Sequence, residues 1–108
     1  MSKGTIVLVP FPFTDLSGNK VRPALVLFNS NVSEDCIVAF ISSVKQKTIN
    51  SLSVRVKMSQ SNGLRSDSII RVDKLATLQK KIVLGELGKL ELNAVSEVNK
   101  KLIILFHL

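Results

Sequence analysis

No apolar run in the first two thirds of this chain is long enough for anything but a short strand. The longest, residues 6–13, is cut by Pro10 and Pro12. Proline has no N–H to give a ladder, so it is confined to the edges, ends and bends of a sheet. A core here must therefore be assembled from several short strands. Residues 5–9 are rich in β-branched side chains and predict the first. A polar connection follows at residues 14–20, where Gly18 and Asn19 tolerate positive φ. Residues 24–28 and 36–42 predict the second and third strands, joined by a polar turn at 29–35.

Residues 52–58 alternate. Leu52, Val54, Val56 and Met58 are predicted to face the core, and Ser53, Arg55 and Lys57 to form a basic outer face. Residues 59–67 predict a loop centred on Asn62-Gly63, and residues 68–72 a further short strand. Gly85 and Gly88 break the segment that precedes the last helical stretch, in which residues 74–84 read as a short helix or as a strand with a turn. From Leu92 the period changes. Val95, Val98, Leu102 and Leu105 fall at steps of three or four, as in an amphipathic helix whose polar face carries Glu91, Glu97, Lys100 and Lys101. The fold class expected is mainly β with a C-terminal helix: a small, strongly bent β-barrel closed by that helix. With 108 residues and no repeat or linker, residues 1–108 read as one domain that needs no disulfide or metal staple.

The formal charge is +7, from 15 Lys and Arg against 8 Asp and Glu. Such a surface suits a polyanionic partner, because cations displace the counterions of a phosphate backbone. It also suits a protein that is merely basic. Trp and Tyr are absent, which leaves five Phe as the only aromatics for stacking bases. The single cysteine, Cys36, excludes an internal disulfide and sits in an apolar run, as a core residue would. No signal-peptide pattern opens the sequence, and residues 6–13 are too short to span a bilayer. A cytoplasmic protein without a membrane role is expected.

Standard catalytic signatures are missing. The single histidine, His107, is the penultimate residue, where a general base would be poorly held. There is no phosphate-cradling glycine loop, and no His or carboxylate cluster has metal-ligand spacing. No metal and no cofactor are expected. What remains is a set of arginines, hydroxyls and one carboxylate at strand ends. Arg22 precedes Pro23, which holds it extended. Ser42 and Ser43 end the third strand, and Arg71 and Asp73 share a face. Each has an ordinary reading as a surface arginine, a turn or a same-face ion pair. Together they also make a phosphodiester site, in which an arginine clamps phosphate and stabilises developing charge.

The segment Gly4-Thr5-Ile6-Val7-Leu8-Val9-Pro10-Phe11-Pro12-Phe13-Thr14-Asp15, then Gly18, then Lys20-Val21-Arg22-Pro23-Ala24-Leu25-Val26-Leu27, resembles the N-terminal signature of MazF/PemK toxins. The resemblance continues through Ile41-Ser42-Ser43 and the block from Gly63-Leu64-Arg65-Ser66-Asp67-Ser68 to Leu78. It resumes at residues 82–90, so that nearly the whole chain is covered. Two positions depart from the family pattern: Thr5 stands where most relatives are acidic, and the 15–20 loop has no histidine.

The resemblance implies an SH3-like β-barrel with a C-terminal helix, acting as a homodimer. It implies a metal-independent, sequence-selective endoribonuclease, a toxin that cuts single-stranded RNA to a 2′,3′-cyclic phosphate and a 5′-hydroxyl. It also implies an acidic antitoxin protein lying over the same groove. By that resemblance Arg22 stabilises charge and Ser42 binds a phosphate oxygen. Arg71 and Asp73 match residues proposed in one branch as acid and base. Lys20, Ser43, Lys45, Lys47, Arg55 and Lys57 are the candidates for contacting RNA. Two other functions fit the same barrel: a non-catalytic toxin that binds DNA gyrase, and a plain basic nucleic-acid-binding barrel.

Overall fold

The computed structural model describes residues 1–10, 20–44 and 50–108. Among them six strands follow in order: β1 (Thr5–Pro10), β2 (Val21–Asn29), β3 (Asp35–Ser43), β4 (Ser53–Val56), β5 (Ser68–Gln79) and β6 (Gly85–Lys89). A short 3-10 turn at Lys80–Ile82 precedes β6, and helix α1 (Leu92–Phe106) ends the chain. The strands form one antiparallel sheet in the order β4-β5-β3-β2-β1-β6. It curls into a half-barrel with the helix packed on it, so the architecture is the one expected: mainly β, SH3-like, with a C-terminal helix.

Both faces of the sheet are buried along β1, β2 and β3. Ile6, Leu25, Ala39, Ile41, Val54 and Ile70 lie on one face, beneath Val98 of α1 with Val95, Leu102 and Leu105 around it. Val7, Val9, Ala24, Val26, Cys36, Val38 and Phe40 form a second cluster on the other. Successive strand side chains point to opposite faces, so a strand covered on both sides reads as an unbroken apolar run. That explains why β1, β2 and β3 do not alternate in the sequence. Pro10 is the last residue of β1, opposite Val21. Cys36 is fully buried, and burial raises its thiol pKa, as expected of a core residue.

Three local expectations are corrected. Met58 is not a core residue: β4 stops at Val56, and Met58 is 55% exposed with its N–H bound to the Asp67 carboxylate. The strand expected at 68–72 continues to Gln79. Phe40 faces Arg71 while its neighbour Ala39 faces Leu75, so residues 72–74 bulge from the β3–β5 ladder and break the period-two pattern. Gly85 and Gly88 do not break the chain but lie within β6. Gly88 is needed there, because a Cβ would stand 2.2 Å from the Ser61 carbonyl oxygen. The turn at 14–20 falls outside the described residues except for Lys20.

Glu91, expected on the polar face of the helix, is instead its N-cap residue and anchors the 59–63 loop. Its carboxylate accepts from the Ser59 hydroxyl (2.6 Å) and from the amide of fully buried Asn62 (3.0 Å). These two bonds, Ser59 first, lower its pKa against a smaller opposing effect of burial. A carboxylate with a lowered folded pKa adds stability that is complete above its unfolded pKa and fades as pH falls through the folded one. Glu91→Gln should therefore cost about 1 kcal/mol near neutrality, and the deficit should shrink on acidification. Urea unfolding of both proteins at several acidic pH values measures this. A deficit independent of pH would mean that the charge contributes nothing.

Candidate active site

Arg22 enters the structure at the start of β2, opposite Val9 of β1 and next to Pro23. Ser42 and Ser43 are the last residues of β3. The β2–β3 register runs Ala24↔Phe40, Leu25↔Ala39, Val26↔Val38. Extended two residues back along β2, it sets Arg22 across from Ser42, on the same side of the sheet. All three residues are half-buried. They line one cleft of about 380 Å³ at the mouth of the half-barrel, with Leu8, Ile41 and Leu87 among its apolar walls. The Nε of Arg22 is out of reach of solvent. A cation in such a place interacts more strongly with an incoming anion than one at an open surface does.

Three polar residues of the cleft were not among the sequence candidates: Arg65 and Ser66, both exposed, from the loop before β5, and Ser68, buried at the first position of β5. The loop is shaped from within. The Asn62 amide oxygen accepts from the Ser59 and Leu64 N–H groups, its nitrogen donates to the Lys57 carbonyl, and Gly63 takes φ +70°. The available signal was their position beside Asn62-Gly63, inside the block that carries the family resemblance.

Arg71 and Asp73 do not line this cleft. Ala24, Phe40, Arg71 and Ser53 form one row across β2, β3, β5 and β4, while Ser42, Ile69 and Arg55 form the next. Arg71 is therefore a diagonal neighbour of Ser42 on the same face, at roughly 7–8 Å by ordinary sheet geometry. Its Nε donates to Asp73 Oδ1 at 3.4 Å, and Asp73 Oδ2 accepts from Asn50 at 3.4 Å. The same-face ion pair is thus present beside the cleft.

The RNA-contact candidates are dispersed. Ser43 lines the cleft, Arg55 is exposed on β4 in the Ser42 row, and Lys20 and Lys57 are exposed outside the lining. Lys45 and Lys47 lie outside the described residues. His107 does not line the cleft; it ends α1 in a left-handed conformation. Among the described residues no group of three or more His, Cys, Asp or Glu could hold a metal ion. No helix among them is long and apolar enough to cross a membrane.

Residues 2–106 match the family model of PemK-like, MazF-like toxins of type II toxin–antitoxin systems. Among solved structures, MazF from Deinococcus radiodurans is similar at TM-score 0.79 and 18% identity, over 100% of this chain and 97% of that one. The toxin MazF-mt6 of Mycobacterium tuberculosis is similar at TM-score 0.74 and 20% identity, over 96% and 97%. A mycobacterial endoribonuclease in complex with its cognate antitoxin is similar at TM-score 0.73 and 19% identity, over 100% and 96%. No curated protein matches the chain.

Proposed function

This chain belongs to the family of PemK-like, MazF-like toxins of type II toxin–antitoxin systems, and from that premise we propose that it is a metal-independent, sequence-selective endoribonuclease. The observation that carries the reading is the meeting of Arg22, Ser42 and Ser43 in one cleft of a chain with net charge +7. The 2′-hydroxyl of a single-stranded RNA attacks the adjacent phosphorus. A 2′-O–P bond forms as the P–O5′ bond breaks, which yields a 2′,3′-cyclic phosphate and a 5′-hydroxyl. The 2′ proton passes to a base, and a proton reaches the departing 5′ oxygen.

Arg22 neutralises the charge that grows on the nonbridging oxygens, in a cleft where it is partly desolvated. The Ser42 hydroxyl donates to one of those oxygens. Asp73, ion-paired with Arg71 of the neighbouring row, is the candidate base, and Arg71 orients it. Arg71 acts as a second charge stabiliser, since a guanidinium does not give up its proton near neutrality. An acidic antitoxin and a second copy of the chain complete the reading, with the cytoplasm as its place of action. The antitoxin complex among the structural neighbours supports the first partner. The exposed apolar residues Ile103, Ile104 and Phe106 of α1 support the second.

Incubation with a long RNA in EDTA, followed by mapping of 5′ ends, tests the proposal. Discrete EDTA-resistant cuts bearing 5′-hydroxyls are expected. Gyrase inhibition without cuts would replace this reading with that of a gyrase-binding toxin. Salt-sensitive binding without either effect would leave a basic nucleic-acid-binding barrel.

A further inference from the structure

The cleft that holds Arg22 and Ser42 continues beyond Ser43. A second hollow of about 420 Å³ is lined by Ser43, Val44, Met58, Arg65, Ser66 and Asp67, and it shares Ser43, Arg65 and Ser66 with the first. Arg65 thus stands on the lip between the two. It is exposed and forms no ion pair with any described residue, although Asp67 is only two residues away. Asp67 Oδ1 accepts instead from the Met58 N–H at 2.9 Å, which ties the loop to the end of β4. Met58 and Val44 remain 55% and 37% exposed, two apolar side chains that the core does not use.

We propose that this second hollow is the subsite for one nucleotide flanking the cleaved bond, with Arg65 on its phosphate and its base against Met58 and Val44. The proposal rests on the ribonuclease reading and extends it to substrate selection. The occupant follows from the chemistry of the walls. A guanidinium on an open lip suits a phosphate that bridges the two hollows, held by paired N–H donors. The polarisable thioether of Met58 offers a base a soft apolar face where, among the described residues, no aromatic side chain lines the hollow. Asp67, an acceptor at the edge, favours a base that presents an exocyclic amino group. Uracil, which offers a carbonyl where cytosine has its amino group, is disfavoured.

The test compares wild type, Arg65→Ala, Asp67→Asn and the charge-matched control Lys100→Ala on the exposed face of α1. The substrates are short RNAs built on one site from the wild-type cut map, with the flanking positions randomised. Arg65→Ala should raise KM about tenfold with little change in kcat, the loss of a charge-assisted hydrogen bond. Asp67→Asn keeps an acceptor for the Met58 N–H and should relax the discrimination against uracil at a single flanking position. Binding of an oligonucleotide with a 2′-deoxy residue at the cut site reads the same clamp without chemistry. There Arg65→Ala should lower the salt slope by about 0.7, the value for one phosphate contact on a single strand.

Kinetics and salt slope equal to those of Lys100→Ala would overturn the clamp. An unchanged base profile in Asp67→Asn would overturn the base subsite. Wild-type protein that cuts no RNA would instead remove the ribonuclease reading, while the salt slope would still report whether Arg65 holds a phosphate.

Discussion

Arg22→Ala should slow RNA cleavage by about 10²–10³-fold, the usual cost of removing a principal electrostatic stabiliser. On the proposed mechanism the loss should fall on kcat and kcat/KM together, because the charge Arg22 would meet is largest in the transition state. Folding should survive, since Arg22 is half-buried at the start of β2 and belongs to neither apolar cluster. Single-turnover cleavage of a defined oligonucleotide separates the chemical step from binding, and a thermal melt of the same sample confirms that the barrel is intact. Cleavage at the wild-type rate, with contaminating nuclease excluded, would end the assignment. Arg22→Lys is the informative companion. It keeps the charge but loses the planar fork, so it should recover only part of the rate.

The largest effect on stability is expected from Gly63→Ala. Gly63 holds φ +70°, and a Cβ there would lie 2.2 Å from the Leu87 carbonyl oxygen and 2.7 Å from its carbonyl carbon. Those are backbone atoms of β6, so no side-chain rotation can relieve the overlap. Conformational strain and overpacking each cost about 1–3 kcal/mol. A combined loss of about 3 kcal/mol should lower the melting temperature by at least ~10 °C in a domain of this size. Gly85→Ala is the control, because nothing lies within 4 Å of its added Cβ. Equal melting temperatures for the two variants would show that β6 moves freely away from the loop. Gly63→Ala should also weaken cleavage in whatever fraction folds, since Arg65 and Ser66 descend from the same turn.

Much of the fold was legible in the sequence because its signals are local. Proline at 10, turn residues at 29–35, β-branched runs and the change of period at Leu92 each act within a few residues. The helix core positions Val95, Val98, Leu102 and Leu105 all pack as their spacing predicts. The misreadings share one cause: each depended on a partner distant in the chain. Met58 alternates correctly with Val56, yet it is exposed because β4 ends at Val56. The continuation of β5 was obscured by residues 72–74, whose bulge is defined only by the register against β3. Gly88 resembles a chain breaker until the Ser61 carbonyl is seen beside it.

The candidate site divides along the same line. Sequence by itself determined which chemistry was available: an arginine held extended by proline, paired serines at a strand end, an arginine–aspartate step at i and i+2, and a strong positive charge. These are properties of residue type and near neighbours, and they also carry the family resemblance. Only the tertiary structure decided which of these groups meet. Antiparallel pairing of β2 with β3 brings Arg22 and Ser42 to one mouth, while register sets Arg71 on the adjacent row, where Asp73 meets it from the bulge. The Asn62-Gly63 turn, pinned by Glu91 and fitted against β6, delivers Arg65 to the same opening. Residues far apart in the chain become neighbours through hydrogen-bond register and close packing, which no local pattern encodes.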